Sequence, residues 1–105
     1  MNQSNAQVMN RRSTTEMDIA ILQALSGSKL LKLTHIMYKA NLNANVLKKK
    51  LIVLEAKGLI KSSKVHKERL KGPARERTFY GLTSEGRGVL HSYRSVYNTL
   101  GYVEQ

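Results

Sequence analysis

The spacing of apolar residues changes twice along the chain, and the two changes limit what it can fold into. From Ser13 to Lys57 apolar residues recur at helical intervals. After Gly58 the pattern is that of strands, and after Thr83 it returns to that of a helix. The chain has 105 residues, enough for one core and not for two. The order is therefore helices, hairpin, helix, all within one domain.

The helical part divides into three. Ser13 and Glu16 have the spacing of a capping box, so a first helix is expected from there to about Ser26, with Met17, Ile21, Leu22 and Leu25 on its inner face and Gly27 as its C-terminal cap. Ser28 to Leu31 is short enough to be a strand or an extended link. Leu33 to Ala40 makes a short second helix, with Leu33, Ile36, Met37 and Ala40 inward. Asn41-Leu42-Asn43 breaks it, since Asn41 tolerates a left-handed backbone and Asn43 suits the N-cap of the next helix. That third helix is expected over Ala44 to Lys57, ended by Gly58. Leu47, Leu51 and Leu54 lie on one stripe, while Asn45, Lys49 and Ile52 point the other way with Lys48 on the flank. Two helices joined by about three residues, the second apolar behind and polar in front, form a helix-turn-helix pattern.

Leu59 to His66 and Arg77 to Leu82 are the expected strands, with Ile60, Val65, Phe79, Tyr80 and Leu82 as their apolar members. The loop between them has Gly72-Pro73 at its tip. The expected fold is α+β and mainly helical: a winged helix-turn-helix with a three-helix core and a two-stranded basic wing. Thr83 caps a last helix, Ser84 to about Leu100, with Glu85 in its first turn and Gly101 at its end. The expected division is a flexible polar tail at 1–12, the winged domain at 13–82, and a C-terminal dimerisation helix and tail at 83–105.

The net charge of +11 is concentrated in one segment. Between Lys29 and Arg77 there are 14 Lys and Arg against 3 acids; outside that window 4 basic residues balance 4 acidic ones. A basic segment that coincides with the helix-turn-helix and the hairpin is the footprint of a phosphate binder. Excess charge that served solubility alone would not need this concentration.

Several kinds of chemistry find no support. There is no Cys, so disulfides and thiolate metal sites are excluded. His35, His66 and His91 lack the spacing of a zinc site. No Gly-rich phosphate loop, nucleophile elbow or carboxylate pair occurs. The expectation is therefore no catalysis, no cofactor and no metal. Neither a signal peptide nor a membrane span is evident, which fits a soluble protein of the cytoplasm, associated with the nucleoid.

The segments Ile36-Met37-Tyr38-Lys39-Ala40-Asn41-Leu42-Asn43, Leu47-Lys48-Lys49-Lys50-Leu51 and Glu55-Ala56-Lys57-Gly58-Leu59-Ile60 resemble small archaeal winged-helix DNA-binding proteins. This group includes ArnR-like transcriptional regulators and dimeric chromatin-associated proteins. Tyr80-Gly81-Leu82-Thr83-Ser84-Glu85-Gly86-Arg87 is similar to the segment that closes the family's wing, and Arg12-Ser13 with Glu16 to its opening. The resemblance implies a winged helix, DNA binding and dimerisation through the last helix. Lys50, where relatives often carry an aromatic residue, and the long basic wing tip depart from that pattern.

Asn43, Asn45, Lys48 and Lys49 are the candidates for the major groove, because Asn can pair with adenine and Lys can donate to guanine. Asn43 has a second possible role as a cap. On the wing the candidates for phosphate or minor-groove contact are Lys64, Lys67, Arg69, Lys71, Arg75 and Arg77. Val89, Leu90, Tyr93, Val96, Tyr97 and Leu100 are the candidate seam of a homodimer, since a helix this long exceeds what a small core needs. The leading function is a sequence-specific regulator bound to double-stranded DNA, with no evident small-molecule ligand. An architectural chromatin protein, a protein-contact module in a transcription or RNA-processing assembly, and RNA binding are the alternatives.

Overall fold

Helix α1 (Thr14–Ala24) begins where two backbone amides are capped reciprocally. The Ser13 hydroxyl accepts from the Glu16 amide at 3.0 Å and the Glu16 carboxylate from the Ser13 amide at 2.8 Å. The computed structural model describes residues 13–27, 29–67 and 75–101. The tail at 1–12, Ser28, and the wing-tip residues Arg69, Lys71, Gly72 and Pro73 lie outside them.

Helix α1 ends at Ala24, two residues earlier than expected, and Gly27 is not its cap. The amide and the hydroxyl of Ser26 both donate to the Gln23 carbonyl, at 3.1 and 2.7 Å, so the last turn closes on itself before the glycine is reached. Ile21, Leu22 and Leu25 are buried as expected, and Ile19 is buried as well. A single inner face is too narrow a description because α1 packs against two helices, the second and the last.

Strand β1 (Leu31–Lys32) precedes helix α2 (Leu33–Ala40), whose bounds are those expected. Asn41 turns the chain with φ 57°, and its amide bonds the Met37 carbonyl, as a left-handed C-cap does. Helix α3 (Ala44–Ala56) follows and buries Leu47, Leu51 and Leu54. Gly58 reverses the chain at φ 79°, a conformation that favours a residue without Cβ.

Strands β2 (Ile60–Lys67) and β3 (Arg75–Leu82) pair antiparallel from Ile60↔Leu82 to Lys67↔Arg75. The ladder continues past both expected strand ends, to Lys67 and Arg75, and positions 68–74 lie outside the described residues. The sheet has three strands in the order β1-β3-β2, not two. Leu31 and Lys32 pair with Tyr80 and Phe79, which gives the base of β3 a neighbour on each side. From Thr78 to Arg75 only β2 accompanies it, and that two-stranded ribbon is the wing. Val65 lies on this ribbon and is 46% exposed, so it does not join the core.

Helix α4 (Ser84–Thr99) is capped by Thr83, whose hydroxyl accepts from the Gly86 amide at 3.0 Å. One core joins these elements: Ile21, Leu22 and Leu25 of α1, Ile36 and Ala40 of α2, the three leucines of α3, Ile60 and Leu82 of the sheet, and Leu90 of α4. Each buried leucine or isoleucine contributes roughly 1.5–3 kcal/mol of transfer free energy. No polar or charged residue is buried among the described residues, so the core imposes no polar desolvation cost.

Candidate nucleic-acid interface

The three leucines that anchor α3 leave its opposite side in solvent. Asn45, Lys48 and Lys49 are all exposed, and Ile52 beside them is 71% exposed. No acid lies in the first turn of α3, so the positive end of the helix dipole adds to the lysine charge.

Asn43 is differently placed. Its side-chain oxygen accepts from the Val46 amide at 2.9 Å, capping the helix. Bidentate pairing with adenine needs both that oxygen and the NH2 group, and the capping bond occupies one lone pair of the oxygen and holds the side chain against its own helix. Of the four groove candidates, Asn45, Lys48 and Lys49 have their polar ends free for recognition.

Lys50 faces inward, and Asp18 of α1 meets its ammonium at 3.0 Å. The pair neutralises one of the three consecutive lysine charges and ties α3 to α1 across 32 residues of sequence. Tyr38 on α2 is 80% exposed, close to the Asn41 turn that leads into α3. Sequence reasoning assigned it no role; the signal was an aromatic residue left outside the inward stripe of Leu33, Ile36, Met37 and Ala40.

The register separates the wing candidates. Lys61 and Arg77 share one face of the ribbon with positions 67 and 75, whereas Lys64 lies on the other with Ser62, Thr78 and Tyr80. Lys61 and Lys64 are exposed and Arg77 is half-buried. Arg69 and Lys71 fall outside the described residues. At the base of the wing the Ser62 hydroxyl donates to the Glu55 carboxylate at 2.7 Å, fastening β2 to the end of α3. Burial, and after it the nearby Glu55 charge, pushes the Tyr80 phenol above its usual pKa of 10.0.

On α4 the candidate seam residues separate by depth. Leu90 is 3% exposed and belongs to the core of its own chain, which removes it from any surface available to a second copy. Tyr93 and Tyr97 are half-buried with ring centroids 5.5 Å apart. Val89, Val96 and Leu100 are exposed at 41, 59 and 64%.

A capped helix with a cationic outer face, a left-handed turn before it and a basic ribbon after it define a winged helix-turn-helix. The family model of that description matches residues 11–100, and the chain belongs to the winged helix-turn-helix family. Solved structures agree on the fold. A PadR family transcription regulator from Clostridium difficile R20291 is 25% identical, with a TM-score of 0.68 over 80% of this chain and 88% of that one. A putative DNA-binding protein from Ralstonia eutropha JMP134 is also 25% identical, with a TM-score of 0.55 over 73% of this chain and 93% of that one. Sso10a-2, a DNA-binding protein from Sulfolobus solfataricus, is 22% identical, with a TM-score of 0.55 over 89% of this chain and 100% of that one. No curated protein matches the sequence. No helix among the described residues is long and apolar enough to cross a membrane.

Proposed function

We propose that this protein is a regulator of transcription that binds double-stranded DNA, with α3 in the major groove and the β2–β3 ribbon against the flanking backbone. The observation that carries this reading is the exposed Asn45, Lys48 and Lys49 face of α3, free of acids in its first turn and opposite three buried leucines. In this reading Asn45 and the lysines meet base edges, and the cations of the wing grip phosphate. Arg69 and Lys71 belong to the same wing. The related archaeal group is that of ArnR-like regulators, on the strength of the segments around Tyr38–Asn43 and Glu55–Ile60.

The protein acts as a homodimer in this proposal, with residues 13–82 as the DNA-binding domain and 83–105 as the dimerisation segment. The second copy meets α4 along Val89, Val96 and Leu100, with Tyr93 and Tyr97 at the edge of the seam. A two-fold pair of recognition helices then reads two half-sites. A second reading, an architectural protein of the nucleoid with little sequence preference, draws on the concentration of charge between Lys29 and Arg77.

Fluorescence anisotropy on a duplex from the protein's own genomic neighbourhood and on a shuffled duplex, at about 50 and 200 mM salt, tests both readings. Six to ten phosphate contacts lower affinity by ~10³–10⁵ across that range. A preference of ~10³ or more for the native duplex supports the regulator. Equal, salt-sensitive binding favours the architectural role. The double substitution Lys48→Ala, Lys49→Ala is expected to cost about 1–3 kcal/mol for each lost base contact and to narrow the preference for the native duplex. Unchanged affinity in that variant would overturn the role given to α3.

A further inference from the structure

Arg87, His91 and Arg94 lie outside the basic segment and take no part in the DNA reading. Spaced four and three apart on α4, they fall within about 60° of one another at ~100° per residue, on a single flank of the helix. All three are exposed. The buried stripe of Gly86 and Leu90 separates them from the apolar flank of Val89, Val96 and Leu100.

This basic flank faces the end of α1. Arg87 Nη1 donates to the Ser26 carbonyl at 3.2 Å. Between the two elements is a groove of about 220 Å³, lined by Ser26, Leu82, Arg87, Leu90, His91 and Arg94. Among the described residues no carboxylate pairs with any of the three basic side chains. Arg87 and Arg94 carry permanent positive charge, and an anion held between them is attracted by both.

We propose that this groove binds inorganic phosphate or the phosphate group of a small monoester. Two guanidinium forks and an imidazole N–H offer more donors than the two oxygens of a carboxylate accept in one plane, and they match the three terminal oxygens of a phosphate. The volume is below the ~300–1,000 Å³ of sites that enclose drug-sized ligands, which restricts the ligand to the phosphate and a few attached atoms. None of Asn45, Lys48, Lys49 or the described wing cations lines the groove. The site is thus distinct from the proposed DNA surface and does not depend on it.

The test is a site-resolved amide chemical-shift titration of the full chain with sodium phosphate and, separately, glycerol phosphate, both at ionic strength held constant with chloride. Saturable shifts confined to Ser26, Arg87, His91, Arg94 and their neighbours are expected. Arg94→Gln, at an exposed position, should weaken them at least tenfold, while Lys61→Gln with Lys64→Gln should leave them unchanged. Tighter binding of glycerol phosphate supports a monoester ligand, and equal or weaker binding supports inorganic phosphate. Shifts spread over α3 and the wing and insensitive to Arg94→Gln would reduce the effect to diffuse charge and overturn the proposal, as would no shift beyond that of chloride. If Arg94→Gln weakens duplex DNA as much as it weakens phosphate, the groove is a DNA contact and the small-ligand site is refuted.

Discussion

Along α3 the division between inside and outside is simple: Leu47, Leu51 and Leu54 are buried, and the exposed side carries Asn45, Lys48 and Lys49. Along α4 the same buried stripe, Gly86 and Leu90, separates two different surfaces, one apolar and one basic. A helix that needs one partner besides the core shows one outer character; α4 shows two. The beginnings of the helices differ as well. Asn43 caps α3 within its own first turn, whereas Thr83 caps α4 and also donates its hydroxyl to the Gly58 carbonyl at 2.6 Å. The start of α4 is thereby bolted to the turn that ends α3, and the Thr83 amide adds a bond to the Leu59 carbonyl at 3.2 Å.

The sharpest way to break this comparison is to truncate one leucine from each depth of α4. Leu90→Ala is expected to cost about 2–5 kcal/mol of folding stability, because it empties a site in the core. Leu100→Ala should change monomer stability by less than about 0.5 kcal/mol. Urea denaturation at low protein concentration gives both numbers, and sedimentation of Leu100→Ala reports on the proposed seam separately.

Gly86→Ala attacks the bolt itself. A Cβ there would sit 2.1 Å from the Leu59 carbonyl oxygen and 2.7 Å from Leu82 Cδ1, so α4 must move off the turn. The expected loss is about 1–3 kcal/mol, in the range of overpacked sites, and is visible as a lower thermal midpoint. A neutral outcome would mean that α4 is not held at this point.

A smaller difference separates the caps. Asn43→Ala should cost about 1 kcal/mol, the usual value of an N-cap. Thr83→Ala should cost more, because it also removes the hydrogen bond to the Gly58 carbonyl, which contributes roughly 0.5–1.5 kcal/mol. Matched urea titrations of the two variants decide the order.

The smallest effect is alkaline. The folded Tyr80 phenol holds its proton to higher pH than the unfolded one. Its contribution to stability is therefore fully present below about pH 10 and is lost as pH rises through the folded value. Tyr80→Phe should flatten the fall in stability above pH 10 without changing its shape near neutrality, as a set of thermal melts across that range would reveal.

Much of this arrangement was legible in the order of residues. Ser13 with Glu16, Asn43 and Thr83 are caps that act over three residues, and Asn41 and Gly58 take the left-handed backbone their types favour. The stripes of α2 and α3 were equally plain. What could not be read depends on distance. A two-residue strand has no period of its own, so the segment ending at Leu31 reads equally as a strand or an extended link, and its pairing with β3 is not written locally. Asp18 and Lys50 meet only because α1 and α3 cross. Leu90 looked like a seam residue, because a stripe marks a face as apolar without saying what covers it.

Local physics therefore settled the caps, the turns, the inward faces of α2 and α3 and the concentration of charge, since each depends on neighbours within about one helical turn. Packing settled the rest: which apolar residues of α4 are used by the core, which lysine of Lys48-Lys49-Lys50 is neutralised, and which basic side chains face a groove. Those outcomes turn on contacts between residues tens of positions apart, and the order of residues does not encode the distance between them until the chain has closed around its core.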